Sequence, residues 1–347
     1  MNNIPRVSIC VPNLNKRPYL PERFETIFSQ TLADWELIVV DSYSNDGSWE
    51  YISNLAGQEP RMRISKAPRG LYSSWNRCIQ LARGEYVYIA TSDDTMAPDC
   101  LEKMVAALDD NSDCGICQCG LVTIDAESIP FPEEQQWDKY SLGSYDQNLV
   151  LRRNKRFAPH DGILHPALFT IYTSITQLLI RRKVFEKVGF FDGRWGSISD
   201  FEWEMRAGLV ENCIYIPEKL ADWRIHPQQA TQDPHTLNSR LKMIEMARAA
   251  FETANHCDGS PLKAIDIEDL LYFLERDVVA MECGEAKGII RKFGALLRQL
   301  LIRPRITRDH IIERIHGNRW GWGNCPSRYR RLRELLQKYD VRSPIFE

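Results

Sequence analysis

The sequence predicts an α/β fold: a Rossmann-like, mostly parallel sheet with helices on both faces, followed by a helical C-terminal region. Three observations lead there. The first 125 residues alternate buried-strand patterns with helix patterns, the signature of β-α-β units and their parallel strands. Polar or acidic residues follow the strands, so they gather at the carboxyl-end edge, where ligands of such sheets bind. After about residue 235 the apolar residues recur at helical spacing.

Taken in order, Val7 to Val11 has the length and apolar character of a buried strand, and Phe24, Ile27 and Phe28 mark a helix face. Leu37 to Val40 is a second strand, with Trp49 and Ile52 on the helix after it. A weaker strand is expected near Arg61 to Ser65. The helix through Trp75, Ile79 and Ala82 is expected to end at Gly84 as its C′ residue. A strand from Tyr86 runs into Thr91-Ser92-Asp93-Asp94. Asp99 is the expected cap of a helix through Leu101, Met104, Val105 and Leu108, and Ile116 to Ile124 is another strand. Residues 126–165, with Pro130, Pro132, Glu133-Glu134-Gln135-Gln136 and Pro159, read as an irregular substrate loop or insertion. Thr173 to Ile180 returns to a strand pattern, and Val184 to Phe191 is a short helix entering a turn at Asp192-Gly193. Leu241, Ile244, Ala247 and Phe251 then form one helical stripe, and Leu270, Leu271, Phe273 and Leu274 another.

A net charge of −3 with 44% hydrophobic residues in 347 describes a globular chain with a substantial core, not a disordered or globally nucleic-acid-binding one. No apolar stretch approaches the roughly 20 residues that span a bilayer. Met1-Asn2-Asn3-Ile4-Pro5 lacks the apolar run of a signal peptide, so a cytoplasmic location is expected. The ten cysteines then read as buried thiols. Cys114, Cys117 and Cys119 lack a second matched pair, and their alternation suits a strand better than zinc.

Asn13 and Asn15 follow the first strand, Asp41 and Ser42 the second, and Asp93 the fourth. Carboxylates at such an edge can hold Mg²⁺ or Mn²⁺, which take oxygen ligands and usually bind one or two carboxylates plus a substrate's phosphates; a nucleoside diphosphate suits the edge. The turn Pro12-Asn13-Leu14-Asn15-Lys16 replaces Gly-x-Gly-x-x-Gly and argues against an NAD enzyme.

Four segments in order, Val7-Ser8-Ile9-Cys10-Val11-Pro12-Asn13-Leu14-Asn15, Val39-Val40-Asp41-Ser42-Tyr43-Ser44-Asn45-Asp46-Gly47-Ser48, the stretch from Trp75 to Tyr86, and the acidic edge, resemble the family 2 glycosyltransferases of GT-A fold. The resemblance covers roughly residues 6–230. It implies a GT-A domain over 1–235, with a nucleotide-binding half of about 1–125 and an acceptor half of about 126–235, and an appended helical, basic region over 236–347. It also implies inverting transfer from a nucleotide-sugar donor to a glycan or lipid-linked acceptor, with a divalent metal, Mn²⁺ or Mg²⁺, as cofactor.

Carried over residue by residue, the family's Asp-x-Asp falls on Thr91, Ser92 and Asp93, so Thr91 replaces its first carboxylate. Asp93 becomes the principal metal ligand, and Asp94 either contacts metal or donor sugar or caps its own turn. Pro12, Asn13, Asn15 and Ser92 belong to the donor site. Ser42 stands where many members carry an aspartate that binds the base, and Asp41 serves either the nucleoside or its turn. Arg69, in Lys66-Ala67-Pro68-Arg69-Gly70, matches a base or phosphate contact, or is a solvated charge. Asp200 matches the catalytic base, which takes the acceptor's proton as its oxygen attacks the anomeric carbon opposite the diphosphate. On a helix Glu204 shares the face of Asp200 and Glu202 points away. Trp223-Arg224-Ile225-His226-Pro227 resembles the family's Arg-x-His element and puts His226 near metal or diphosphate.

From Lys287 to Lys338 fourteen arginines and lysines, among them Arg291, Lys292, Arg298, Arg305 and Arg319, face only Asp309, Glu313 and Glu334. With Ile289, Ile290, Phe293, Leu296, Leu297, Leu300 and Leu301 they make a basic amphipathic helix that suits an anionic membrane surface, or else packs on the catalytic domain. Two functions are therefore weighed. One is an active, metal-dependent enzyme of surface or extracellular polysaccharide synthesis, peripheral at the cytosolic membrane face; the other is a catalytically inactive nucleotide-sugar-binding assembly partner. Asp93, Asp200 and His226 favour the enzyme.

Overall fold

β1 (Val7–Asn13) is wholly buried because parallel neighbours flank it on both sides: β2 (Trp35–Asp41) and β4 (Tyr86–Ile89), with β3 (Met62–Lys66) outside β2. Side-chain alternation sends the two halves of each strand to different layers. Cys10, Ile38, Val40, Val87 and Ile89 pack with Tyr72, Trp75 and Ile79 of α3 (Leu71–Leu81). Val7, Ile9, Leu37, Val39 and Tyr88 pack with α1 (Leu20–Phe28), α2 (Ser48–Ala56) and α4 (Cys100–Asp109) on the other face. The structure, a computed structural model, describes residues 4–137, 142–227, 229, 236–286, 288–315 and 326–347.

The second half of the sheet mixes directions. Antiparallel β8 (Leu178–Arg181) lies between β4 and β6 (Cys114–Ile124), and β9 (Asn212–Arg224) runs parallel beside β6. Next come β7 (Asn154–Arg156) and β10 (Ile345–Phe346), while the short β5 (Thr95–Met96) pairs with the end of β9. The order is β10-β7-β9-β6-β8-β4-β1-β2-β3, with β5, β7 and β8 running against the rest. The mostly parallel sheet is as expected.

Several local expectations are corrected. α3 ends at Leu81 with Ala82 extended, so Gly84 is not its C′ residue. A Cβ at Gly84 would meet the backbone nitrogen of Ser8 at 2.7 Å, so glycine is there to let the chain cross β1 closely. Asp99 precedes α4 without capping it; its carboxylate pairs with Lys103 at 2.7 Å. Residues 126–165 are more ordered than expected, holding α5 (Leu142–Tyr145), α6 (Asn148–Leu151), β7 and the start of α7 (His160–Leu168). All but the last residue of α7 is buried, so it has no polar stripe to signal a helix. The described cysteines are free thiols, and all but Cys257 are buried.

α8 (Arg182–Val188) follows β8, and α9 (Ser199–Val210) is buried along its length except at Asp200. α7 and α9 meet backbone to backbone at Gly162 and Gly208: a Cβ on Gly162 would lie 2.5 Å from the nitrogen of Leu209. The C-terminal helices are α10 (Leu237–Asn255), α11 (Ile267–Glu285), α12 (Ile289–Ile302), α13 (Pro304–Ile315) and α14 (Pro326–Lys338). Ala247, Phe273, Ile306 and Leu332 join Trp203 and Leu209 in one continuous core, so these helices pack on the sheet domain. Lys287 and Arg319, counted in the basic segment, lie outside the described residues, as does Cys325.

The close helix crossing makes a testable demand. Gly162→Ala should lower stability by about 1–3 kcal/mol, the usual cost of overpacking. Gly284→Ala, in α11 where a Cβ meets nothing within 4 Å, should be neutral or add up to about 1 kcal/mol. Urea midpoints of the two variants, read by circular dichroism, should move in these opposite directions.

Candidate active site

At the carboxyl ends of β1 and β2 the polar residues hold one another. Asn13 Nδ2 donates to Asp41 Oδ1 at 2.8 Å, and the Ser44 hydroxyl and backbone N–H both donate to the Asp41 carboxylate. Asp41 is fully buried, so its charge is spent on this turn. The backbone N–H of Asn15 donates to Ser44 Oγ, and Asn15 Oδ1 accepts from the N–H of Asn45. Ser42 is buried with its hydroxyl 2.8 Å from that of Ser74, and Arg69 is exposed in the loop before α3.

The acidic edge after β4 is built against the end of β9. Arg224, buried at the last position of β9, donates through Nε to the carbonyl of Asp93 at 2.6 Å and through its backbone N–H to Asp94 Oδ1 at 2.8 Å. The Thr91 hydroxyl donates to Asp94 Oδ2, and the Ser92 hydroxyl to the carbonyl of Pro12. Burial and the neighbouring charge of Asp93 push Asp94 up to about 7. Asp93 faces two nitrogens: Lys16 Nζ at 2.7 Å and His226 Nε2 at 2.9 Å from its Oδ2, with 3.1 Å between the nitrogens. Burial opposes its charge, yet these partners hold Asp93 down at about 2. Sequence reasoning brought Asp93 and His226 together, missed Lys16 although it follows Asn15 in the same turn, and gave Arg224 no role.

A second cluster lies where the first turn of α9 meets the start of α3. The half-buried Asp200 carboxylate accepts from the backbone N–H of Phe201 at 3.0 Å, and the Tyr72 hydroxyl beside it donates to the Ser197 carbonyl at 3.0 Å; burial raises the Asp200 pKa. Glu204, one turn on and buried, is pushed well up by burial and by the charge of Asp200. Its Oε2 is 3.4 Å from the Thr170 hydroxyl and 4.0 Å from His165 Nε2, whose ring burial holds down at about 3. Glu202 points elsewhere and pairs with Arg206 at 2.8 Å. Tyr72 and His165 were not singled out from sequence; nothing in their local pattern marks them.

Asp93 and His226 are the side chains of this edge that could ligate a divalent cation, which takes one or two carboxylates and completes its shell with a substrate's phosphates. Among the described residues no three His, Cys, Asp or Glu side chains converge as a metal cage. Both oxygens of Asp94 already accept hydrogen bonds, Thr91 replaces one carboxylate, and the Lys16 ammonium holds the Asp93 oxygen and the His226 nitrogen that a metal would need.

The profile of the family described as glycosyl transferase family 2 matches residues 8–189, more than half of the chain. The chain belongs to this family. As a family 2 glycosyltransferase it is similar to an uncharacterized glycosyltransferase, EpsJ, of Bacillus subtilis (strain 168), with 26% identity over 87% of this chain and 86% of that one. It is also similar to the hyaluronan synthase of Pasteurella multocida, with 34% identity over 29% of this chain and 11% of the synthase. Among solved structures, S. aureus TarS 1-349 superposes with a TM-score of 0.58 at 13% identity, over 84% of this chain and 79% of that one. The mannosyltransferase PcManGT of Pyrobaculum calidifontis, solved with GDP-Man and Mn²⁺, gives a TM-score of 0.53 at 18% identity, over 98% and 88% of the two chains. These likenesses show the GT-A fold; the family makes the protein a glycosyltransferase acting on nucleotide sugars.

Arg224 is the side chain on which this edge rests. Arg224→Lys keeps the charge but not the fork of donors, and should cost about 2–4 kcal/mol in a urea unfolding series. A loss under about 0.5 kcal/mol, the size of an ordinary surface change, would show that the edge is held by other contacts.

Proposed function

We propose that this glycosyltransferase carries out inverting transfer from a nucleotide-sugar donor to an acceptor hydroxyl, in the synthesis of a cell-surface or extracellular polysaccharide. One observation carries the reading: Asp93, with Lys16 and His226 against it, and a half-buried carboxylate at Asp200 share the carboxyl-end edge of the sheet. In the proposed step the acceptor oxygen bonds to the anomeric carbon as the bond to the diphosphate oxygen breaks. The electron pair stays on the departing diphosphate, and the acceptor's proton passes to Asp200. Positive charge beside Asp93 offsets the charge growing on the leaving group. No covalent enzyme intermediate is needed. Similarity of part of the chain to a hyaluronan synthase and a chondroitin synthase supports the polysaccharide role.

Asp200→Asn should leave nucleotide binding intact by calorimetry and slow transfer by about 10²-fold or more. Because burial lifts the Asp200 pKa, the acid limb of kcat/KM should fall above the usual carboxylate range of about 4. The product should have inverted anomeric configuration by NMR; retention would remove Asp200 from the base role.

The acceptor is proposed to be lipid-linked. α12 packs on the protein through Ala295, Leu296 and Gln299, and turns its apolar face outward, with Ile289, Ile290 and Leu301 each more than 85% exposed. Exposed Arg291, Lys292 and Arg298 accompany that face, a charge pattern complementary to anionic lipid headgroups. Among the described residues no helix is long and apolar enough to cross a membrane, so contact would be peripheral. The full chain should co-sediment with phosphatidylserine-containing vesicles at low salt, detach as salt rises, and lose binding in Ile290→Glu/Leu301→Glu. A wild-type chain that stays in the supernatant would make this face a protein contact instead.

A further inference from the structure

We propose that the Tyr43 ring is the stacking platform for the base of the donor nucleotide. This rests on the glycosyl transfer reading above and deepens it.

Backbone strain singles the residue out. Tyr43 has a φ of +57°, in the left-handed region that a bulky side chain rarely adopts, and residues held there cluster at ligand sites. The turn after β2 imposes it from both sides: the Ser42 N–H donates to the Asn13 carbonyl at 2.8 Å, the Ser44 N–H to Asp41 Oδ2 at 2.9 Å, and the Asn45 N–H to Asn15 Oδ1 at 2.9 Å. Glycine would take this conformation freely, so the turn itself does not account for a tyrosine. The ring stands out of the turn, 57% exposed, where Asp41 and Ser42 before it are buried.

The ring is also held in place. Lys66 Nζ, from the end of β3, lies 5.7 Å from the Tyr43 ring centroid and 4.3 Å from that of Trp49 in the first turn of α2, so one ammonium props both rings. The pairing of Asp41 with Lys66 between β2 and β3 sets that meeting, and the Ala67 N–H donates to the Asp41 carbonyl at 3.0 Å. The turn after β1, joined to this one through Asn15, exposes the apolar side chain of Leu14. An aromatic ring fixed in this way loses little freedom when a planar base lies on it.

The sheet places the ring at a suitable reach. In the order β4-β1-β2-β3 the end of β2 lies two strands from the end of β4, about 10 Å at the usual strand spacing. Asp93 follows β4, and the proposed diphosphate lies beside it. A ribose bridges a gap of that size between phosphate and base, so a nucleotide lying across the strand ends with its diphosphate at Asp93 brings its base to Tyr43. Stacking uses the π-face common to all bases, so the platform serves purine and pyrimidine alike.

Calorimetry on the full chain with UDP, GDP, dTDP, CDP and ADP, each in MnCl₂, tests this. Tyr43→Ala should weaken the nucleotide that binds by about 5- to 150-fold, the range for losing one base–aromatic stack, while Tyr43→Phe keeps the ring and most of the affinity. Tyr43→Gly should lose as much affinity as Tyr43→Ala, yet its urea midpoint should stay at or above that of the wild type, because glycine relieves the strain. Wild-type affinity in Tyr43→Ala and Tyr43→Gly, a loss in Tyr43→Phe as large as theirs, or a lowered midpoint in Tyr43→Gly would overturn the stacking role and leave the transferase reading standing. Absence of binding by all five nucleotides to the wild type would overturn both.

Discussion

A guanidinium buried from water demands a partner for each of its hydrogens, and Arg224, with 1% of its surface exposed, sets that demand where four chain segments meet. Nε reaches the Asp93 carbonyl; Nη1 reaches the carbonyls of Asp125 and Ala126 and the Ser128 hydroxyl; Nη2 reaches Glu22. The end of β9, the acidic edge after β4, the turn after β6 and the first helix are thereby fixed together. His226, two residues on, inherits its place beside Asp93 from that anchor. The site is rigid because the ends of separate strands satisfy one another's polar groups, and no single loop has to define it.

The helices α7 and α9 rest on a comparable interior network with a different balance. Asp161 is buried in α7, yet Arg156 Nε lies 2.9 Å away, with the Tyr172 hydroxyl and the His160 ring also bonded to it. Burial opposes the charge, and these partners prevail, holding Asp161 down at about 2. Glu204, across the same helix contact, has no comparable cation and is pushed up instead. The charged member braces α7 against β6 and β7, and the Gly162–Gly208 crossing transmits that support to α9. Asp200 sits on the first turn of a helix that is held along its length, which suits the base role proposed for it.

The first four parallel strands were legible because their polar ends and their helix partners each follow a simple period, as in Val7–Val11 or Leu37–Val40. β9 was not legible: Pro217, Glu218 and Lys219 interrupt its apolar pattern where it shifts register against Gly120 of β6. α7 and α9 were obscure because helices buried on all sides carry no polar stripe. At the site, carboxylates were found because their chemistry announces them. Lys16 was in plain view beside Asn15, but its importance depends on a turn that aims it at a residue 77 positions away, and spacing along the chain does not reveal that. Arg69, read as a base or phosphate contact, stands exposed, and Asp41 is occupied by its own turn.

The proposed inverting transfer asks two incompatible things of carboxylates: one is to stay charged beside the diphosphate, and the other is to accept a proton when the acceptor attacks. The two clusters meet these demands by environment. Asp93 has an ammonium and an imidazole within 3 Å, and a proton would have to displace that attraction. Asp200 has a helix N–H for a partner and, among the described residues, no ion pair, so burial wins and its affinity for a proton rises. Glu204, itself lifted by burial, adds a like-charge neighbour whenever it ionises, which raises that affinity further. Two acids of the same kind are thus pushed apart in pKa, which is how one fold can bind an anion and take up a proton at a single edge.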